Sequence, residues 1–135
     1  MLEKSKMNLE AGLWAKEKGY YDIAVSRYYY SLFQKVITIL KHDGFYNAPK
    51  GENNTHNQVI NDFNEYIYKI NLAPEQIPKV TTMHKLKKKR NKADYSEEKI
   101  EYTLDFINDF LPKYNQFIKV IDSILIKRGI DNNGR

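Results

Sequence analysis

The stretch SEEKIEYTLDFINDFLPKYNQFIKVIDSILIK, residues 96–127, decides the fold class. Its apolar residues Ile100, Leu104, Ile107, Leu111, Tyr114, Ile118, Ile121 and Leu125 recur at an unbroken 4-3-4-3-4-3-4 spacing. That period keeps one stripe on one side of an α-helix and suits a long bundle helix with near-parallel neighbours. Ser96 is a suitable N-cap, and Glu97 and Glu98 sit where the positive end of the helix dipole favours them. Pro112 removes a backbone donor, so a kink near Asn108 to Leu111 is expected rather than a break. Phe106, Phe110 and Phe117 widen the apolar surface beyond one seam. Two explanations fit them: a deeply buried central helix, or a helix that also meets a second subunit in a homodimer.

The same spacing of three and four, with no alternation at two, extends toward the N-terminus and predicts an all-α protein. A first helix is expected over 2–18, with Met7, Ala11 and Trp14 beside Leu9 and Leu13 as its buried stripe and Gly19 as a left-handed cap. A second is expected over 21–43, with Val25, Tyr29, Leu32, Val36 and Ile39 on one face and Gly44 as its stop. Residues 45–54, with Pro49, Gly51 and three asparagines, read as a loop. Thr55 with Gln58 fits a capping box at the head of a third helix carrying Ile60, Phe63, Ile67 and Ile70. A fourth begins at Pro78 or Lys79, since proline is tolerated in a first turn. The architecture expected is an up-and-down bundle of four to five helices in a single domain, residues 1–130, with 131–135 as a frayed tail.

A chain of 135 residues has room for one core. Zero cysteines exclude disulfides, thiol chemistry and cysteine-ligated metals. No paired histidines stand at metal-ligand spacing and no glycine-rich phosphate loop is present, so neither a metal nor a cofactor is expected. No apolar run reaches the length of about 20 residues that spans a bilayer, so no membrane is expected as a partner and the expected address is the cytoplasm.

The net charge of +5 is a local feature. Lys79, Lys85, Lys87, Lys88, Lys89, Arg90 and Lys92 fall within fourteen residues that hold no acid, and without those seven the other 121 residues carry −2. On a wheel of about 100° per residue, Lys85, Lys88, Lys89 and Lys92 form one outward stripe. Met83, Leu86 and Ala93 face the other way, with Arg90 among them. A buried guanidinium needs a partner, and Asp94, one turn on, is the nearest candidate. The stripe fits a solvated face, contact with nucleic-acid phosphates, an acidic protein partner or a lipid surface, and Arg90 fits a core ion pair or an anion-recognising group. In the second helix Arg27, Tyr30, Ser31 and Gln34 form a polar strip, so two inward arginines from different helices are expected to converge on one anion or to tie the bundle together.

The sequence also resembles a known family. Arg27-Tyr28-Tyr29-Tyr30-Ser31-Leu32-Phe33 is similar to the R-x-Y-Y-x-x-F signature of HEPN domains, with Gly19-Tyr20-Tyr21-Asp22-Ile23-Ala24 before it and Gly44 after it. Thr55-His56 resembles the Ser-His at the head of that family's third helix, and Arg90-Asn91-Lys92-Ala93-Asp94-Tyr95 resembles the R-x-x-A-D-Y ending of its fourth. The resemblance runs in order over roughly residues 5 to 125. It implies a helical bundle, commonly dimeric, in a toxin–antitoxin or anti-phage setting beside a nucleotidyltransferase antitoxin. Many of its members are metal-independent ribonucleases whose motif is an arginine, usually followed by asparagine, and then a histidine four to six residues on.

Arg90-Asn91 matches the first half, but no histidine occurs after His84. Metal-free cleavage of RNA needs a group near neutral pKa to move a proton and a cation to stabilise the phosphate. Arg90 supplies only the second, and the tyrosine pKa near 10 makes Tyr95 a poor base. His56 would substitute if the third helix packs its first turn against Arg90. The expected catalytic set is thus Arg90, Asn91, Tyr95 and His56, and the expected binding set is Arg27, Tyr30, Asp94, Lys85, Lys88, Lys89 and Lys92. The expected ligands are RNA or a nucleotide, and Tyr95 is a candidate acceptor for a nucleotide from the transferase.

Overall fold

The computed structural model describes residues 2–47, 55–95 and 103–130. It is helical throughout: α1 (Leu2–Glu17), α2 (Tyr21–His42), α3 (Thr55–Lys69), the single turn α4 (Ile77–Val80), α5 (Met83–Tyr95) and α6 (Leu104–Lys127). No strand occurs among the described residues. The expected fourth helix is thus two pieces, α4 with Pro78 in its first turn and α5 restarting after Thr81 and Thr82.

α1 and α2 form a hairpin whose turn holds Gly19 at φ 80°, and α2 stops before Gly44 at φ 78°, both conformations that a Cβ disfavours. The face α1 buries is not the one expected. Ser5, Gly12 and Ala15 are buried, while Met7, Leu13 and Trp14 are half exposed or more. The physical reason is close approach. Gly12 lets α1 settle on Tyr28, where an added Cβ would meet the ring at 3.2 Å, and Ser5 Oγ donates to the Ser31 carbonyl at 2.5 Å. Small residues bring the helix axes together and leave the large apolar side chains outside that seam.

Contacts along α2 show the direction of its neighbours. Tyr29 and Phe33 meet His56, whereas Asp43 meets Tyr66, so α3 runs in the same sense as α2. Ser31 meets Tyr114, Lys35 meets Asp122 and Asp43 meets Arg128, so α6 does too. Strict up-and-down alternation therefore fails between α2 and α3. Beyond α2, Asn47 donates its backbone and side-chain N–H groups to the buried Asp62 of α3 at 3.0 and 2.9 Å. Gln58 donates forward to the same carboxylate at 2.8 Å.

α2 is the central helix, packed against α1, α3, α5 and α6, and α6 lies against α2, α4 and α5. Phe106, Phe110 and Phe117 are all buried inside the bundle, so these rings do not form a face open to a second subunit. Phe63 stacks on Phe117 at 5.7 Å, and Tyr28 lies against Phe110 and Tyr114. The stripe rotates accordingly: Ile107, Tyr114, Ile121 and Leu125 are buried, but Leu104 is half exposed. Thr103 caps the helix, its hydroxyl accepting from the Phe106 N–H at 3.4 Å, and the helix runs on through Pro112 uninterrupted. Ser96, Glu97, Glu98 and Ile100, the loop residues Pro49 and Gly51 and the tail 131–135 lie outside the described residues.

Candidate functional site

Arg90 is 6% exposed and points into the bundle between α2, α3 and α5, as the wheel requires. Its guanidinium carbon stands 5.4 Å from the ring centroids of both Tyr29 and Tyr30. One Nη donates to the Tyr30 hydroxyl and to the Asp94 carboxylate, each at 3.3 Å. Its Nε is buried and has no hydrogen-bond partner. Both bonds are long for charged donors, so the cation is held mainly by the two aromatic faces and keeps unused donor capacity.

His56 enters this cluster because α3 returns to start beside the middle of α2. Its ring stacks on Phe33 at 4.2 Å and its Nδ1 lies 3.0 Å from the Tyr29 hydroxyl. Tyr29 is fully buried, and burial pushes its pKa up against the opposing pull of Arg90, so this hydroxyl stays protonated and needs an acceptor. We assign the proton accordingly: Tyr29 donates to Nδ1, and Nε2 carries the imidazole hydrogen. Burial, then the charges of Arg90 and Lys87, hold the His56 pKa down to about 4. The imidazole is therefore a neutral N–H donor near pH 7, with its basic nitrogen already engaged.

Sequence reasoning missed the residue that completes this edge. Lys87 lies on the flank of α5 that faces α3, where its ammonium donates to Asn57 Oδ1 at 2.8 Å and raises the potential at His56. The spacing of Lys87, Arg90 and Asp94 at i, i+3 and i+7 carries that information, but it was hidden inside the lysine run.

The other expected residues scatter. Arg27 is exposed on the α1 side of α2, where it donates to Asn8 Oδ1 at 3.3 Å. It therefore does not converge with Arg90, because the polar strip of α2 wraps toward α1 rather than α5. Ser31 from that strip is buried and joins Tyr114 at 2.7 Å. Asn91 is half-buried on α5, and Tyr95 is 76% exposed at its end, outside the Arg90 cluster. Lys85, Lys88 and Lys92 are exposed, while Lys89 is tied to Asp109 at 2.6 Å and lies over the Phe106 ring.

The arrangement presents N–H donors and positive charge, with Asp94 as the only carboxylate α5 contributes. It is suited to holding an anion and lacks a group poised to take a proton at neutral pH. Among the described residues no group of three or more acidic or histidine side chains could hold a metal ion, and no helix is long and apolar enough to cross a membrane. Compared with protein-family models, curated proteins and solved structures, the chain has no match.

Proposed function

We propose that this protein is a HEPN-like RNA-binding module of a toxin–antitoxin or anti-phage system. One observation carries the reading: α5 holds six cations against one carboxylate, with four of them directed outward or to the α3 edge, Lys89 tied to Asp109 of α6, and Arg90 inward beside a neutral histidine donor. The lysines supply sequence-independent attraction to phosphates, and the Arg90 edge supplies a fixed contact. The family setting, a homodimeric assembly and a nucleotidyltransferase antitoxin come from the sequence resemblance, and the exposure of Tyr95 leaves its hydroxyl open to such an enzyme. The alternative, a metal-independent ribonuclease with Arg90 stabilising the phosphate, draws on the presence of His56 in the cluster. With Nδ1 engaged by Tyr29, His56 is a weak base, and binding without cleavage is the better reading.

RNA affinity measured against salt tests this. Neutralising three to four phosphates of a single strand gives a slope of about −2 to −3 in log affinity against log salt. Replacing Lys85, Lys88 and Lys92 together by glutamine should flatten that slope by about 2. A slope near zero for the unaltered protein would sink RNA binding. Cleavage of RNA in EDTA that vanishes in Arg90→Ala would favour the ribonuclease.

A further inference from the structure

The lysine stripe does more than face solvent. Lys85, Lys88, Lys89 and Lys92 of α5 and Lys113 of α6 line an open cleft of about 260 Å³, and among the described residues its one acid is Asp109. Asp109 is shared: one oxygen holds Lys89 at 2.6 Å and the other stands 3.9 Å from Lys113. Those two cations draw its pKa down, the Lys89 hydrogen bond first. Lys85, Lys88 and Lys92 make no ion pair with any described residue. Five lysines thus line one concavity, and among the described residues Asp109 is the one acid that lines it.

We infer that this cleft binds a linear polyphosphate chain, recognised by its phosphates and not by any base attached to it. The inference rests on the anion-binding part of the reading above but names a ligand of different shape. Lys85 and Lys92 are seven residues apart, about 10.5 Å along the helix. In a polyphosphate, neighbouring phosphorus atoms share one bridging oxygen, so a triphosphate places its whole charge within that span. In RNA a ribose separates successive phosphates, and the same span receives much less charge. Lysines of both α5 and α6 line the cleft, so a compact chain bound there meets cations from two helices, whose fields add. Inorganic polyphosphate and the tail of a nucleoside triphosphate share this chemistry.

Calorimetric titration of the purified chain with sodium tripolyphosphate, orthophosphate, ATP and AMP tests the inference. Tripolyphosphate and ATP are expected to bind with similar affinity, each about 10-fold or more tighter than orthophosphate or AMP at low salt. Lys113→Gln should weaken tripolyphosphate about 2- to 5-fold, and Asp109→Asn, which removes the one carboxylate that lines the cleft among the described residues, should strengthen it by a similar factor. Circular dichroism of both variants checks the fold. No preference for tripolyphosphate over orthophosphate overturns the inference, as does an Asp109→Asn variant that binds no tighter. Tight ATP with weak tripolyphosphate also overturns it, because the nucleoside would then be what is recognised. RNA binding without tripolyphosphate binding removes this inference alone, and the reverse removes the RNA reading alone.

Discussion

Replacing Arg90 by methionine separates a structural pillar from a ligand-binding group. The guanidinium is buried with an unpartnered Nε, and a buried donor left unpaired costs about 1–3 kcal/mol. Against that stand two hydrogen bonds at 3.3 Å, each returning about 0.5 kcal/mol at that length. The faces of Tyr29 and Tyr30 add about 0.5–1 kcal/mol apiece. The two sides cancel to within about 1 kcal/mol, which is the usual result for a buried ion replaced by an apolar side chain of similar volume. Asp94 loses its partner, but its side chain is 26% exposed and regains water. Arg90→Met is therefore expected to change the free energy of urea unfolding by less than about 1 kcal/mol, while weakening RNA binding about 10-fold or more. Leu86→Ala on the same helix, at a fully buried position, should cost about 2–5 kcal/mol and serves as the scale. A loss above about 3 kcal/mol in Arg90→Met would refute this reasoning, because Arg90 would then be held for the fold and need no ligand to account for it.

Three further outcomes follow from the packing and the charges. Gly12→Ala gains about 1 kcal/mol of helix propensity, yet its Cβ would meet Tyr28 at 3.2 Å, and Tyr28 is pinned by Phe110 and Tyr114. Overpacking costs about 1–3 kcal/mol, so thermal unfolding should show net destabilisation, and a gain in stability would mean that Tyr28 yields. Burial would raise the Asp43 pKa, but hydrogen bonds from Tyr66, His42 and Arg128 outweigh it and the carboxyl titrates below its ordinary value. A depressed folded-state pKa stabilises above the unfolded value, so this contribution is lost as pH falls below about 4, and Asp43→Asn should remove that part of the acid slope. His56, held down to about 4, is neutral when folded while the unfolded chain takes up its proton near 6.5. Stability should therefore decline from about pH 6.5 toward 4, and His56→Phe should decline less steeply. Imidazole nitrogen NMR at pH 7 should find the hydrogen on Nε2, and a hydrogen on Nδ1 would reverse the Tyr29 bond and restore His56 as a base.

Much of this was legible in the chain. The periodicity of three and four placed α2, α3, α5 and α6, and Gly19 and Gly44 marked the ends of α1 and α2. The wheel turned Arg90 inward with Asp94 as its partner. Other readings failed where the deciding term was non-local. Met7, Trp14 and Leu13 looked buried because hydropathy counts size, whereas α1 packs through Ser5, Gly12 and Ala15, whose small side chains allow the shorter interhelical distance. Arg27 looked equivalent to Arg90 because both interrupt apolar faces, but which neighbour each face meets depends on the arrangement of the other helices.

Local matters follow from the order of residues alone: that the chain is helical, where most helices stop, and that the net charge is gathered on one segment with Arg90 turned inward. These depend on backbone propensity and on angles within one helix, which nearest neighbours in the chain specify. The packing of the bundle sets that α3 runs in the same sense as α2, and with it that His56 meets Tyr29 and loses its basicity. The same holds for Lys113 and Asp109, which meet the α5 lysines across a gap of about twenty residues in the chain. Desolvation and the field of a distant charge belong to the assembled bundle, and no spacing along the chain encodes them.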